Sequence, residues 1–276
     1  MLVDYSLGIE EACRNLNNFE INFEKLNEML EHIGNLFKMD YLQMIEHSKL
    51  VKFQPPTKDV TTRQNSKLDS LNEASRFQNL LYINYACLLK LFILSNESPE
   101  KPRTELMIEY INFLDKEIDL ISVAMLIFGY HFFSGNSTIK RMVHPAKKTV
   151  EYKIHALWNA AIDLTFPTLV SKNFAKDGTI PVFTTCDERL WIIFNSMKVK
   201  VLFTENTKID VPPIMEMDLS ATNWNKEDLK SVNEYFWQVQ MSRKNKFIFE
   251  KIDINDMLSN LRDICMRLEN KAKIYM

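Results

Sequence analysis

The chain has 276 residues, 46% hydrophobic and 25% charged, with a formal net charge of −2 at pH 7. That balance excludes a disordered polar chain, and the lack of a basic excess excludes a duplex binder coated in Lys and Arg, leaving at most a local basic rim. Five glycines, with neither a Walker-type loop nor a GxGxxG fingerprint, exclude the Gly-rich phosphate cradles.

Residues 1–12 read as a short strand and a turn into helix. Leu16, Ile21, Leu26, Leu30, Ile33 and Phe37 then recur at mostly helical intervals. Pro55 and Pro56 mark an exposed loop, and a long helix is expected over 67–94 until Pro99 and Pro102 break it. Thr104 can cap the next helix, which carries Ile108, Ile111, Leu114, Ile118 and Ile121. Beyond Ile121 this helix turns apolar on most sides, so it is expected at the centre of the fold, ending at Gly135 and Asn136. Residues 147–169 form a further helix that should end or kink near Pro167. Strand, helix and strand follow over 181–203, and Pro212-Pro213 opens a polar connection. Asn225 can cap a helix to about Arg243, and Asn255 another with Met257, Leu261, Ile264, Cys265 and Leu268 on one stripe. Sequential strand–helix–strand units predict a helix-dominated α/β fold with a parallel sheet and right-handed crossovers.

Cys13, Cys87, Cys186 and Cys265 lie far apart with no CxxC pair, which points to a reduced compartment, and the five histidines lack zinc-ligand spacing. No charged-then-apolar leader is apparent, and the apolar run over 118–133 is interrupted by Asp119 and His131, so a cytoplasmic protein without a membrane span is expected. Three acids fall at or near element ends: Asp4 after the apolar Met1-Leu-Val3, Asp163 on the helix before 181, and Asp187 after the strand that begins at Pro181. Open α/β sheets place their chemistry at the carboxyl ends of strands. Crowded carboxylates repel unless a cation sits between them, so the three predict a divalent-metal site. Each acid also has a plainer reading. Asp187 can be a helix cap, and Asp163, among Ala160, Ala161, Ile162 and Leu164, can be held by a neighbouring Lys or Arg.

Met1-Leu-Val-Asp-Tyr-Ser-Leu-Gly-Ile-Glu10 resembles the first strand and turn of PIN-domain nucleases. Thr184-Thr-Cys-Asp-Glu-Arg-Leu190, with Val199-Lys-Val-Leu-Phe203 behind it, is similar to the family's later strand, and Trp158-Asn-Ala-Ala-Ile-Asp163 to the helix ahead of it. The resemblance implies a parallel sheet flanked by helices and Mg²⁺- or Mn²⁺-dependent cleavage of RNA, in a toxin, defence or RNA-processing role. It implies that Asp4, Asp163 and Asp187 hold metal. The family's Glu is matched by Glu117, with Glu73 and Asp119 as alternatives, while Ser6, Asn159 and Thr184 would fix carboxylate rotamers. Lys140, Arg141, Lys147, Lys148 and Lys153 would guide the phosphate backbone. The chain is about twice the size of a compact member. One domain over 1–276 would therefore carry 14–145 as a helical insertion or subdomain and 222–276 as C-terminal helices. The alternative readings are an inactive PIN-like or helical module that binds RNA or protein, with a homodimer through the C-terminal helices as one form of it.

Overall fold

Helices make up most of the regular structure in the computed structural model, which describes residues 11–15, 20–36, 39–49, 64–146, 149–172, 187–201, 214–243 and 254–276. These fall into two units, Met1–Gln78 and Asn79–Met276.

In the first unit, β1 (Arg14–Asn15) pairs antiparallel with β2 (Glu20–Ile21), and the Asn22 N–H closes the ribbon by donating to Cys13 O at 2.8 Å. Asn22 also starts α1 (Phe23–Leu36), because its Oδ1 accepts from the N–H groups of Glu24 and Lys25 at 3.1 Å each. Those donors have no partner within the first turn. The helical spacing read from residue 15 therefore becomes helix only at Phe23. Cys13 and Leu26 are buried, with Ile21, Met29 and Leu30 packed against them. A reciprocal cap opens α2 (Tyr41–Ser48): Gln43 N donates to Asp40 Oδ1 at 2.9 Å and Asp40 N to Gln43 Oε1 at 3.1 Å.

The second unit is organised around helices that are apolar on most sides. From 81 to 94, every side chain of α3 (Gln64–Glu97) except Lys90 is buried. So is every residue from 124 to 133 in α5 (Val123–Phe133). A helix of that kind must be enclosed by other elements. The Ser122 side chain caps α5 by accepting from Met125 N, and Gly135, at φ 88°, ends it in a left-handed turn that brings Asn136 N to His131 O at 3.2 Å. At Gly129 the helix lies hard against α4 (Arg103–Lys116), where an added Cβ would sit 2.7 Å from Tyr110 Cε1. Asn136 then caps α6 (Ser137–Val143), accepting from Thr138 N and Ile139 N.

Trp158 of α7 (Val150–Lys172) meets Tyr85 of α3 edge to face at 5.0 Å, and Asn84 Nδ2 donates to Thr165 Oγ1 at 2.9 Å. This helix continues past Pro167 to Lys172 rather than stopping there. The last helix, α10 (Ile254–Ala272), buries Leu261, Ile264, Cys265, Leu268 and Ala272. Its Glu269 accepts from the buried Tyr85 hydroxyl at 2.9 Å, and its Cys265 thiol faces Tyr82 O at 3.4 Å.

The single central helix expected from Thr104 to Gly135 is two helices. It starts at Arg103, with Pro102 at the cap and no side-chain capping bond, and stops at Lys116. The break contains Asp119 at φ 58°, a conformation that L-residues seldom adopt. A distant side chain holds it. Arg243, at the end of α9 (Lys226–Arg243), donates from Nη1 to Asp115 O and Oδ1 at 3.1 and 2.8 Å, and from Nη2 to Asp119 O at 2.5 Å.

The parallel, PIN-like sheet is likewise corrected. After α8 (Glu188–Asn195), β3 (Met197–Val201) pairs antiparallel with β4 (Ile214–Met217), and among the described residues both sheets are two-stranded and antiparallel. Lys198 and Lys200 project toward water and pair with Asp218 and Glu216, so β3 has one wet face. Parallel strands in α/β folds are buried on both faces and read as continuous apolar runs. The α/β, parallel-sheet expectation therefore fails on alternation that Met197-Lys-Val-Lys-Val201 carried openly.

Candidate functional site

Asp187 is the N-cap of α8, its side chain accepting from Arg189 N at 2.8 Å. The Arg189 guanidinium returns to the same carboxylate, with Nε 2.9 Å from Oδ1 and 3.1 Å from Oδ2, and Nη2 also bonded to Oδ2. Hydrogen bonds from Arg189 hold the Asp187 carboxyl below the usual carboxylate range, against the opposing effect of burial. Asp163, half-buried on α7, adds its charge to that of Asp187 in stabilising protonated Arg189. Asp187 thus meets the Arg189 guanidinium directly, while Asp163 acts on it through its charge. Both Asp187 oxygens are engaged by Arg189. Among the described residues, no group of three or more His, Cys, Asp or Glu side chains could hold a metal ion.

Glu117 is placed differently. It is the C-cap residue of α4, and its carboxylate pairs with Arg267 of α10. The alternative Asp119 is paired with Arg243, at 3.0 Å from Nη1. Glu73 lies on α3, outside the stretch of that helix whose side chains are described. Asp4, Ser6, Thr184, Lys147 and Lys148 all lie outside the described residues. Asn159 has a buried Oδ1 without a hydrogen bond. Of the basic cluster, Lys140 is exposed, and Arg141 Nε donates to Ser137 O at 3.3 Å. Lys153 Nζ donates to Met276 O at 2.8 Å, tying α7 to the end of the chain.

Buried nucleophiles are sealed in. Burial pushes the Cys87 thiol up to about 12 and that of Cys265 well above its ordinary value, so neither is a thiolate near neutrality. His131 Nε2 lies 2.9 Å from Ser196 Oγ, a Ser–His pair in form. Both residues are buried, however, and Ser196 Oγ donates to Ile192 O. The pair joins α5 to the turn after α8, and His131 Nδ1 has no hydrogen-bond partner among the described residues.

The second unit exposes large apolar side chains at several places, Trp191 and Ile274 among them, and two share one face of α9: Trp237 is 65% exposed and Met241 50%. A shallow, open depression of about 470 Å³ is lined by Lys226, Leu229, Lys230, Asn233, Glu234 and Trp237, all of them on α9. The helix behind it is fixed at several points. Asn225 caps it by accepting from Asp228 N at 2.7 Å, Arg103 pairs with Asp228 at 2.8 Å and stacks 4.9 Å over Trp224, and Tyr235 donates to Asn112. Val232, Val239 and Arg243 are buried along its inner side. Sequence reasoning placed the helix but passed over this face. The signal was available: Trp237 follows Asn233 and Glu234 by one turn and precedes Met241 by one, so it shares its stripe with polar residues rather than with the buried valines. Comparison of the chain with protein families, curated proteins and solved structures found no match.

Proposed function

We propose that the chain is a helical protein-binding module whose docking surface is the outer face of α9. The observation that carries this reading is Trp237, which stands largely in water beside a shallow depression on a helix whose inner side is locked down. Tryptophan is mostly covered in a folded domain, and it is enriched at interfaces and among binding hot spots. A rigid support matters because a preorganised face loses less entropy on binding.

The reading is tested by selecting helical peptides from a displayed library on the full chain, then measuring their affinity for wild type and Trp237→Ala. Truncation of a hot-spot Trp costs about 2 kcal/mol or more, roughly a thirtyfold loss of affinity. Peptides that bind both proteins alike would reject α9 as the docking surface.

The metal-dependent hydrolase expectation has its own test. On the ion-paired geometry of Asp187, millimolar Mn²⁺ should leave the melting temperature unchanged. A stabilisation seen in wild type and lost in Asp163→Asn would instead support it.

A further inference from the structure

The depression on α9 carries both signs of charge, an aromatic ring and a spare amide, and that combination is complementary to itself. We infer that its occupant is a second copy of this chain, docked antiparallel about a two-fold axis passing between Asn233 and Glu234. This deepens the docking reading of α9 and rests on it. A two-fold axis makes contacts reciprocal, so each pairing is made twice. An axis at that point sets Lys230 of one copy opposite Trp237 of the other, an ammonium over an indole face. It sets the aliphatic stem of Lys226 against Met241. At the axis it sets Asn233 against Glu234. Asn233 Oδ1 already accepts from the Tyr130 hydroxyl at 2.9 Å, which orients the amide and leaves Nδ2 to donate to the facing carboxylate. Among the described residues Lys230 is held by an exposed pair with Glu234 at 3.8 Å, so little is lost when it turns to the facing Trp237. An unrelated acidic or basic partner would satisfy one sign of this face and oppose the other.

Size sets the strength. An 18-residue helix is about 27 Å long, and one face of it buries less than the ~800 Å² per partner of a standard stable interface. The dimer is therefore a weak, reversible one.

Sedimentation of the full chain over roughly 1–300 µM should show a monomer–dimer equilibrium that Trp237→Ala weakens about tenfold or more, with an unchanged circular dichroism melt. Register is read by disulfide trapping in a Cys186→Ser background. A mixture of Lys226→Cys and Met241→Cys proteins should cross-link, while Lys226→Cys alone should not. A wild-type chain that stays monomeric, a dimer indifferent to Trp237→Ala, or self-linking of Lys226→Cys would each overturn the self-pairing. If the chain is monomeric but selected peptides still depend on Trp237, self-pairing alone fails; if those peptides are also indifferent, the docking reading fails with it.

Discussion

Arg243 shows how much of this fold depends on single side chains. It is 5% exposed, and its guanidinium satisfies the carbonyls of Asp115 and Asp119 together with the Asp115 carboxylate. Burial alone would raise the Asp115 carboxyl, but hydrogen bonds from Lys116 and Arg243 outweigh it and keep the group ionised. Removing one partner of a buried pair costs about 3–5 kcal/mol, because the remaining charge keeps its desolvation penalty. Arg243→Met should therefore lower the urea midpoint by that equivalent. Arg243→Lys should not rescue it, since one ammonium cannot reach the acceptors on both Asp115 and Asp119. A cost below about 1 kcal/mol would mean that the break between α4 and α5 is held by other contacts. Gly129→Ala probes the same region from the other side. Its new methyl meets the Tyr110 ring, and overpacking of this kind costs roughly 1–3 kcal/mol. None of this was legible locally, because residues 115–122 contain no Gly or Pro and the residue that bends them lies at position 243.

At the level of elements, α10 separates two kinds of contact that a sequence shows equally well. Its apolar stripe, read correctly from spacing, is buried at Leu261 and Leu268, whereas Arg267 and Lys271 make exposed ion pairs with Glu117 and Glu97. Leu261→Ala or Leu268→Ala should cost about 2–5 kcal/mol, and Arg267→Ala no more than about 1 kcal/mol. Equal effects in equilibrium denaturation would show that charge rather than burial docks this helix. The same distinction explains what was legible elsewhere. Helical periodicity and caps depend on near neighbours, so α3, α8, α9 and the Asn225 cap followed from sequence. Strand pairing depends on which distant segment returns, and β3 was assigned to a parallel sheet that β4 displaces. The pairing of Asp187 was hidden for a related reason. Spacing places Asp187 at an element end but cannot reveal that Arg189, two residues later, folds back on it.

Across the whole second unit, acid sensitivity should come from histidines before carboxylates. Burial lowers the affinity of His131 for a proton, and its Nδ1 has no hydrogen-bond partner to receive one. Burial, then the charges of Lys140 and Lys153, do the same to His144, whose Nε2 sits 3.0 Å from Ser95 Oγ beside the rings of Phe92 and Phe132. A histidine depressed in the folded state binds fewer protons there than when unfolded, so its contribution is complete above the unfolded value of about 6.5 and is lost as pH falls below it. Asp115 and Asp187 are depressed carboxylates, whose contributions persist until pH falls below about 4. Urea midpoints should therefore fall between pH 7.5 and 5.5, well before any carboxylate titrates. His131→Gln can keep a donor for Ser196 without gaining a charge, and should flatten that slope. A midpoint that is level across this interval in wild type would show that both imidazoles accept protons in the folded chain without penalty, and the α5 core would then have to admit water that its packing excludes.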